Sequence, residues 1–240
     1  MSAIQVSAYL DAPILLNSKG GLDRGTRAEM IRLRAEHAYL VGCNINPKLE
    51  ADLVEEGCKV TRISAEKPFD LSYKCGEFAN KNKTTTKKSL ILASSEVFAD
   101  SLSMSSYSYA NKVPMLLVPK DIDDNMAKII NDYGAEEVLV IGGENTISSE
   151  SMAKIGKARR ISGQDRYQTS RIIQKDYYPD SKNSLVASGL TFADTVAASP
   201  LAGIMKANIV LVKNTSEEVH DYHFQKIVAV GGLVKKYMTD

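Results

Sequence analysis

Short aliphatic runs recur along the chain: LILAS (90–94), PMLLV (114–118), VLVIGG (138–143), SLVAS (184–188), NIVLV (208–212) and IVAVGG (227–232). They are rich in Val, Ile and Leu and do not alternate with polar residues. That pattern belongs to strands covered on both faces, as in a parallel sheet. The spacers carry apolar positions at helical intervals over roughly ten to eighteen residues. Strands alternating with helices at this rhythm predict an α/β fold of parallel sheets with right-handed crossovers.

The runs also repeat. SSEVFADSLS (94–103) aligns without gaps to SGLTFADTVA (188–197), and the register continues from KVPMLLV (112–118) to KANIVLV (206–212). DAPILL (11–16) reads as a third copy of that last strand. AYLVGC (38–43), VLVIGG and IVAVGG form a second set of three, and CKVTRIS (58–64) returns as GKARRIS (156–162). One unit therefore takes roughly 90–100 residues, and such a period places repeat architecture ahead of every other reading. The expected division is the later part of one unit at 1–61, a complete unit at 62–159 and most of a third at 160–240. Both ends of the chain look cut through a unit.

Composition adds limits. Of 240 residues, 44% are hydrophobic and 25% charged, an ordinary soluble balance with enough chain for a sizeable core. The net charge of +1 gives no global field to attract nucleic acid or anionic surfaces, so anion binding has to be local. No apolar run reaches the ~18 residues of a membrane span. The N-terminus MSAIQVSAYLDAPILLN lacks the pattern of a secretory signal, which on its own points to the cytoplasm. Cys43, Cys58 and Cys75 form no CxxC pair and read as buried or idle thiols. His220 and His223, in HDYH, read as a tag remnant or an exposed loop, and neither they nor the cysteines predict a metal site.

The densest cluster of chemistry is RISGQDRYQTS (160–170). Asp165 suits a helix N-cap with Gln168 completing a box-like pair, and Gly163 suits a turn. Thr169, Ile172, Ile173 and Tyr177 then share one helical face. The segment thus turns a strand into a helix. Arg160 and Arg166 beside that helix start could also form an anion pocket, and the two roles are compatible. A degraded copy, RISAEKPFDLS (62–72), keeps Arg62, Ile63, Ser64 and Ser72 but loses Asp-Arg-Tyr. Gly142 and Gly143 close a buried strand and permit a tight exit; without GxGxxG or GxxxxGK[ST] spacing they do not specify a phosphate loop. Asp100 and Asp194, in two FAD tripeptides unrelated to flavin, are placed to cap helices and meet their dipoles, with Phe98 and Phe192 in the core. Basic residues gather at Arg24, Arg27, Arg32 and Arg34, at Lys81, Lys83, Lys87 and Lys88, and at Lys157, Arg159 and Arg160. Such runs are ordinarily solvated faces, and here they are also the available local anion sites.

Together, RISGQDRYQTS, ASGLTFADTVAASPLA (187–202), APILL (12–16) and VLVIGG resemble the bacterial cell wall binding repeat 2 family across essentially the whole chain. The resemblance implies Rossmann-like α/β units, normally three, packed around a pseudo-threefold axis. It implies non-covalent anchoring of surface-layer and autolysin-type proteins to an anionic, teichoic-acid-like polymer of Gram-positive walls, without a cofactor, catalysis, nucleic acid or a membrane span. The expected polymer-binding residues are Arg160, Arg166, Arg159, Arg62 and Lys157; Asp165, Tyr167, Asp194, Asp100, Gly142 and Gly143 are expected to carry structure. Further repeats or protomers are expected to complete the ring. On this basis the chain reads as a fragment of an exported surface protein rather than a cytoplasmic one. The sequence departs from the repeat pattern at AEKPF (65–69), which replaces G-x-D-R-Y, and at SLSMSSYSYA (101–110), which lacks the A-S-P-L-A run. An enzyme or binding protein for a nucleotide or sugar-phosphate, using the GG turns as cradle, is the alternative function. A truncated array with a structural role only is another.

Overall fold

The computed structural model describes residues 1–81, 89–213 and 226–235. In chain order the elements are α1 (Ala3–Leu10), α2 (Arg24–Leu33), β1 (His37–Gly42), α3 (Pro47–Glu55), β2 (Lys59–Ser64), α4 (Pro68–Asn80), β3 (Ser89–Ser94), α5 (Phe98–Asn111), β4 (Met115–Val118) and α6 (Asp124–Asp132). They continue with β5 (Glu137–Ile141), α7 (Ser149–Ala153), β6 (Ala158–Ile161), α8 (Arg166–Tyr177), β7 (Asn183–Ser188), α9 (Ala193–Ile204), β8 (Asn208–Val212), β9 (Lys226–Val230) and α10 (Gly232–Lys235). Three sheets result, and every described strand pair in them is parallel. The first is β1-β2, the second β4-β3-β5-β6 and the third β8-β7-β9.

The expected α/β class with parallel sheets is observed, and the sheets cut across the sequence repeat. β2 and β6, the RIS strands that open the second and third units, each pair with the last strand of the unit before them. The following helices α4 and α8 then pack on β4 and β8 in the next sheet. Strand–helix–strand segments β2-α4-β3 and β6-α8-β7 therefore stitch the first sheet to the second and the second to the third.

The helices that precede the β4-type strand, α1, α5 and α9, all contact one another. Their fully buried Ile4, Ser105 and Ser199 hold corresponding places, and the Ser105 and Ser199 hydroxyls hydrogen-bond at 2.7 Å. α1 and α5 end at the left-handed residues Asp11 and Lys112, and α9 is followed, one residue past its cap Met205, by the left-handed Lys206, all with φ near +50°. The serines that interrupt α5 where A-S-P-L-A was expected are buried. Ser101 and Ser105 donate to carbonyls of their own helix, and Ser108 donates to the Val113 carbonyl just beyond it.

Three expectations are corrected. Residues 11–16 do not form a strand. Their counterparts β4 and β8 are ordered by pairing with β3 and β7, and the described residues contain no such neighbour for 11–16. Phe192 is half exposed rather than core, its ring lying 5.3 Å from that of Phe98. Asp100 and Asp194 lie in the first turns of α5 and α9 but cap neither; the N-cap residues are Val97 and Phe192, without side-chain capping bonds. All three cysteines are free thiols; burial pushes Cys75 up to about 12. Lys83, Lys87, Lys88, His220 and His223 lie outside the described residues. No described helix is long and apolar enough to cross a membrane.

Candidate functional site

The corner at 160–170 sits at the carboxyl ends of the second sheet's strands. β3 feeds α5 toward β4 on one side, while β5 feeds α7 toward β6 on the other, so the chain reverses between β3 and β5. Open α/β sheets bind ligands in the crevice at such a point. Here the crevice holds the protein's own Asp100. A Cβ on Gly142 would lie 2.8 Å from the Asp100 Oδ2, and Gly142 has φ +110°. The position thus needs glycine both for its backbone angle and for the carboxylate beside it. The Gly142 amide donates to the Ile161 carbonyl of β6, and the Gly143 carbonyl accepts from Thr146 and Ile147. A turn closed in this way, against a carboxylate, is no phosphate cradle, which counts against the nucleotide alternative.

Arg160 extends from β6 across this turn. Its Nη1 donates to the Gly142 carbonyl at 2.7 Å and its Nη2 to the Ile147 carbonyl at 2.9 Å. Asp165 caps α8, accepting from the amides of Tyr167 and Gln168 at 2.9 and 2.8 Å. The Gln168 side chain accepts from the amide of Gln164, the residue before the cap, rather than from that of Asp165, so the expected box is replaced by a bond one residue earlier; the Thr169 hydroxyl accepts from the Gly163 amide. Arg166 Nη1 donates to the Gly189 carbonyl at 2.6 Å, and the buried Tyr167 ring fills the space a Cβ on Gly189 would need. Arg166 and Tyr167 therefore grip the turn that follows β7.

Asp100 belongs to the second unit yet faces α8 of the third. Burial pushes its carboxyl above the usual range, while the Thr169 hydroxyl and the Arg166 guanidinium oppose that shift. Desolvation favours the neutral form, and a hydrogen bond and a cation favour the ion. Asp194 repeats the placement, lying against Gly231 (φ +92°), but it is exposed and in no ion pair among the described residues.

The remaining basic candidates lie apart from this crevice. Arg159, on the opposite side of β6, donates from Nε to Glu137 at 2.8 Å and from Nη2 to the Tyr177 hydroxyl at 2.7 Å. Arg62 pairs with Glu50 and reaches the Ile45 carbonyl. Lys157 is exposed, in a left-handed conformation just before β6. The structure thus joins Arg160, Arg166, Asp165, Tyr167, Asp100, Gly142 and Gly143 in one corner, and leaves Lys157, Arg159 and Arg62 on outer edges. Among the described residues no cluster of His, Cys, Asp and Glu could hold a metal ion.

Comparison with known proteins fits this repeated corner. The model of the cell wall binding domain 2 family matches residues 62–152 and 160–234, most of the chain. The chain belongs to that family. It is 23% identical over 214 residues to the N-acetylmuramoyl-L-alanine amidase LytC of Bacillus subtilis, covering 88% of this chain and 42% of the amidase. It is 25% identical over 222 residues to the amidase enhancer of Bacillus subtilis, covering 90% of this chain and 30% of the enhancer. Its fold matches Cwp6 from Clostridium difficile with a TM-score of 0.86 and Cwp8 with 0.81, at 25% identity. Those matches cover 97% and 99% of this chain and 39% and 43% of the two Cwp chains. The chain thus spans less than half the length of these relatives.

Within a cell wall binding domain 2 chain, some corner residues had gone unassigned. Ser170 and Ser72, the distal serines kept in both RIS segments, are fully buried. Their hydroxyls accept from the Leu211 and Leu117 amides, tying each helix to the next sheet. Their survival in the degraded copy was the available signal. Gly189 and Thr169 carried no comparable mark, because their partners Tyr167 and Asp100 come together only through tertiary packing.

Proposed function

We propose that residues 1–240 act as a non-catalytic binding module that holds a surface protein on the cell wall. Membership of the cell wall binding domain 2 family carries this reading. The parallel-sheet units at 1–61, 62–159 and 160–240 would serve as scaffold, arranged about a pseudo-threefold axis through the mutual contact of α1, α5 and α9. The ligand is an anionic, teichoic-acid-like polysaccharide, met at several weak cationic points.

Among the basic residues, Lys157, Arg159 and Arg62 are exposed and would meet the polymer directly. Arg160 and Arg166 would contribute field while bracing the corner. Several weak phosphate contacts along one polymer gain avidity from their linkage, and exposed charge contacts are screened by salt. The test is co-sedimentation with purified wall polymer. Binding at low salt that falls severalfold near 0.5 M salt, and that weakens further for Lys157→Glu with Arg159→Glu, is the expected result. Binding unchanged by both treatments would remove these residues from the site.

A further inference from the structure

Phe69 of α4 and Ala127 and Ile130 of α6 share one core with Leu90, Leu92 and Leu116, so the two helices lie on the same face of the second sheet. Toward their carboxyl ends they part around a cavity of about 220 Å³. Tyr73, Glu77 and Asn80 of α4 line it on one side, and Ile129, Asp132 and Tyr133 at the end of α6 on the other. No lysine or arginine is among these residues. Sites for drug-sized ligands begin near ~300 Å³, so the space suits a shorter guest.

The walls accept more hydrogen bonds than they donate. The Glu77 and Asp132 carboxylates enter no ion pair among the described residues. Asn80 Nδ2 donates to the buried Tyr133 hydroxyl, which leaves the carbonyl oxygen of that amide to accept. Burial raises the Tyr73 hydroxyl, and Glu77 and Asp132 add to the rise. Burial also pushes Tyr133 up to about 12, with the Asn80 amide opposing and Glu77 adding. Neither helix has a basic residue in its last turn, and a helix carboxyl end is the negative end of its dipole. Two carboxylates and two helix ends therefore make the cavity negative.

The repeat sharpens the point. Aligning RISAEKPFDLS with RISGQDRYQTS and reading on puts Arg171 at the place of Tyr73 and Lys175 at the place of Glu77. Lys175 stands in the last turn of α8. The third unit's helix thus brings its own cation to this position, whereas the second unit's leaves a carboxylate there.

We propose that the cavity between α4 and α6 binds a primary alkylammonium group, free or on a lysine side chain. Its three N–H groups are shared among Glu77, Asp132 and the Asn80 carbonyl, and its stem lies against Ile129 and the face of Tyr73. A quaternary ammonium has the charge without the N–H donors, and an alcohol has the stem without the charge. The site is separate from the Arg160 corner and opposite in sign, so it stands or falls independently of wall-polymer binding.

The test is titration of residues 1–240 with n-butylammonium, followed by amide NMR shifts, with tetramethylammonium and n-butanol run in parallel. Saturable shifts confined to the ends of α4 and α6, for n-butylammonium alone, are the expected result. Glu77→Gln should weaken binding about tenfold, and Asp132→Asn, at the more exposed carboxylate, about threefold. Glu77→Lys, which installs the α8 residue, should abolish binding while the β5 shifts stay in place. A lysine tripeptide blocked at both ends separates the sources: tighter binding than n-butylammonium assigns the cavity to a partner's lysine, and weaker binding to a free amine. Equal binding of tetramethylammonium or n-butanol overturns the proposal. So do shifts that never saturate, shifts spread over all surface carboxylates, or binding that survives Glu77→Lys.

Discussion

At 160–170 the helix begins at Asp165, whose carboxylate accepts two amide N–H groups. At 62–72 the same place is held by Lys67, which caps nothing, and Pro68 sets the first helical angle instead. Phe69 is buried where Tyr167 is, and Ser72 bonds a strand amide as Ser170 does. Arg160 binds two backbone carbonyls of the preceding turn, whereas Arg62 spends its charge mainly on Glu50. The apolar and hydroxyl contacts alone thus maintain the corner. The Asp-Arg-Tyr charges are additions that link it to Asp100 on one side and Gly189 on the other. Where Arg166 and Thr169 meet Asp100, the degraded corner has Pro68 and Leu71.

The largest difference between the corners should lie in the turns their arginines reach. Gly142→Ala places a methyl against Asp100 at φ +110°, and the cost should be about 2–4 kcal/mol. Gly42, its counterpart in the first sheet, has no positive φ and would meet only Ile45 at 3.3 Å. Gly42→Ala should therefore cost less than about 1 kcal/mol. Urea unfolding of the two variants checks this, and equal losses would break the distinction. Next in size, Arg160→Met leaves the Gly142 and Ile147 carbonyls without their charged donor and should cost about 2–3 kcal/mol. Arg62→Met removes an exposed pair and should cost under about 1 kcal/mol.

The Asp100 link has a pH signature. Burial raises its carboxyl, so the folded chain holds that proton more tightly than the unfolded chain. The associated stability is complete below the ordinary value of 3.8 and is lost as pH rises through the raised one. Asp100→Asn has no such proton to lose. The urea midpoint of the variant relative to the parent should therefore climb between pH 4 and pH 7. A flat difference would show that Arg166 and Thr169 fully offset the burial.

The α/β class and the parallel strands were legible because a strand covered on both faces advertises itself by unbroken Val, Ile and Leu, as at 138–141. The repeat was legible because equivalent packing demands equivalent residues. What stayed hidden depends on distant partners. Residues 11–16 carry the right sequence for a strand, but a strand also needs its neighbour. Asp100 looked like a cap because it stands near a helix start; Val97 begins that helix, and Gly142, 42 residues further on, decides where the carboxylate goes. The bonds from Arg160 to the Gly142 and Ile147 carbonyls were not legible either, because those carbonyls belong to a turn whose shape no local pattern specifies.

The smallest effect offers the cleanest comparison, because it can be run in both directions. Asp165→Ala removes a cap that satisfies two amides at the start of α8 and should cost about 1 kcal/mol. Lys67 already has the extended backbone of an N-cap, with φ −109° and ψ 147°. Lys67→Asp therefore needs no rearrangement to accept the Phe69 or Asp70 amide, and it replaces a cation with an anion at the positive end of the helix dipole. The opposing influence is Asp70, already in that first turn. A gain of about 0.5–1 kcal/mol in urea unfolding, with no change in wall-polymer binding, would mark the cap as a local helix device that the second unit has dispensed with. A loss would mean that Lys67 serves its corner by some contact other than capping.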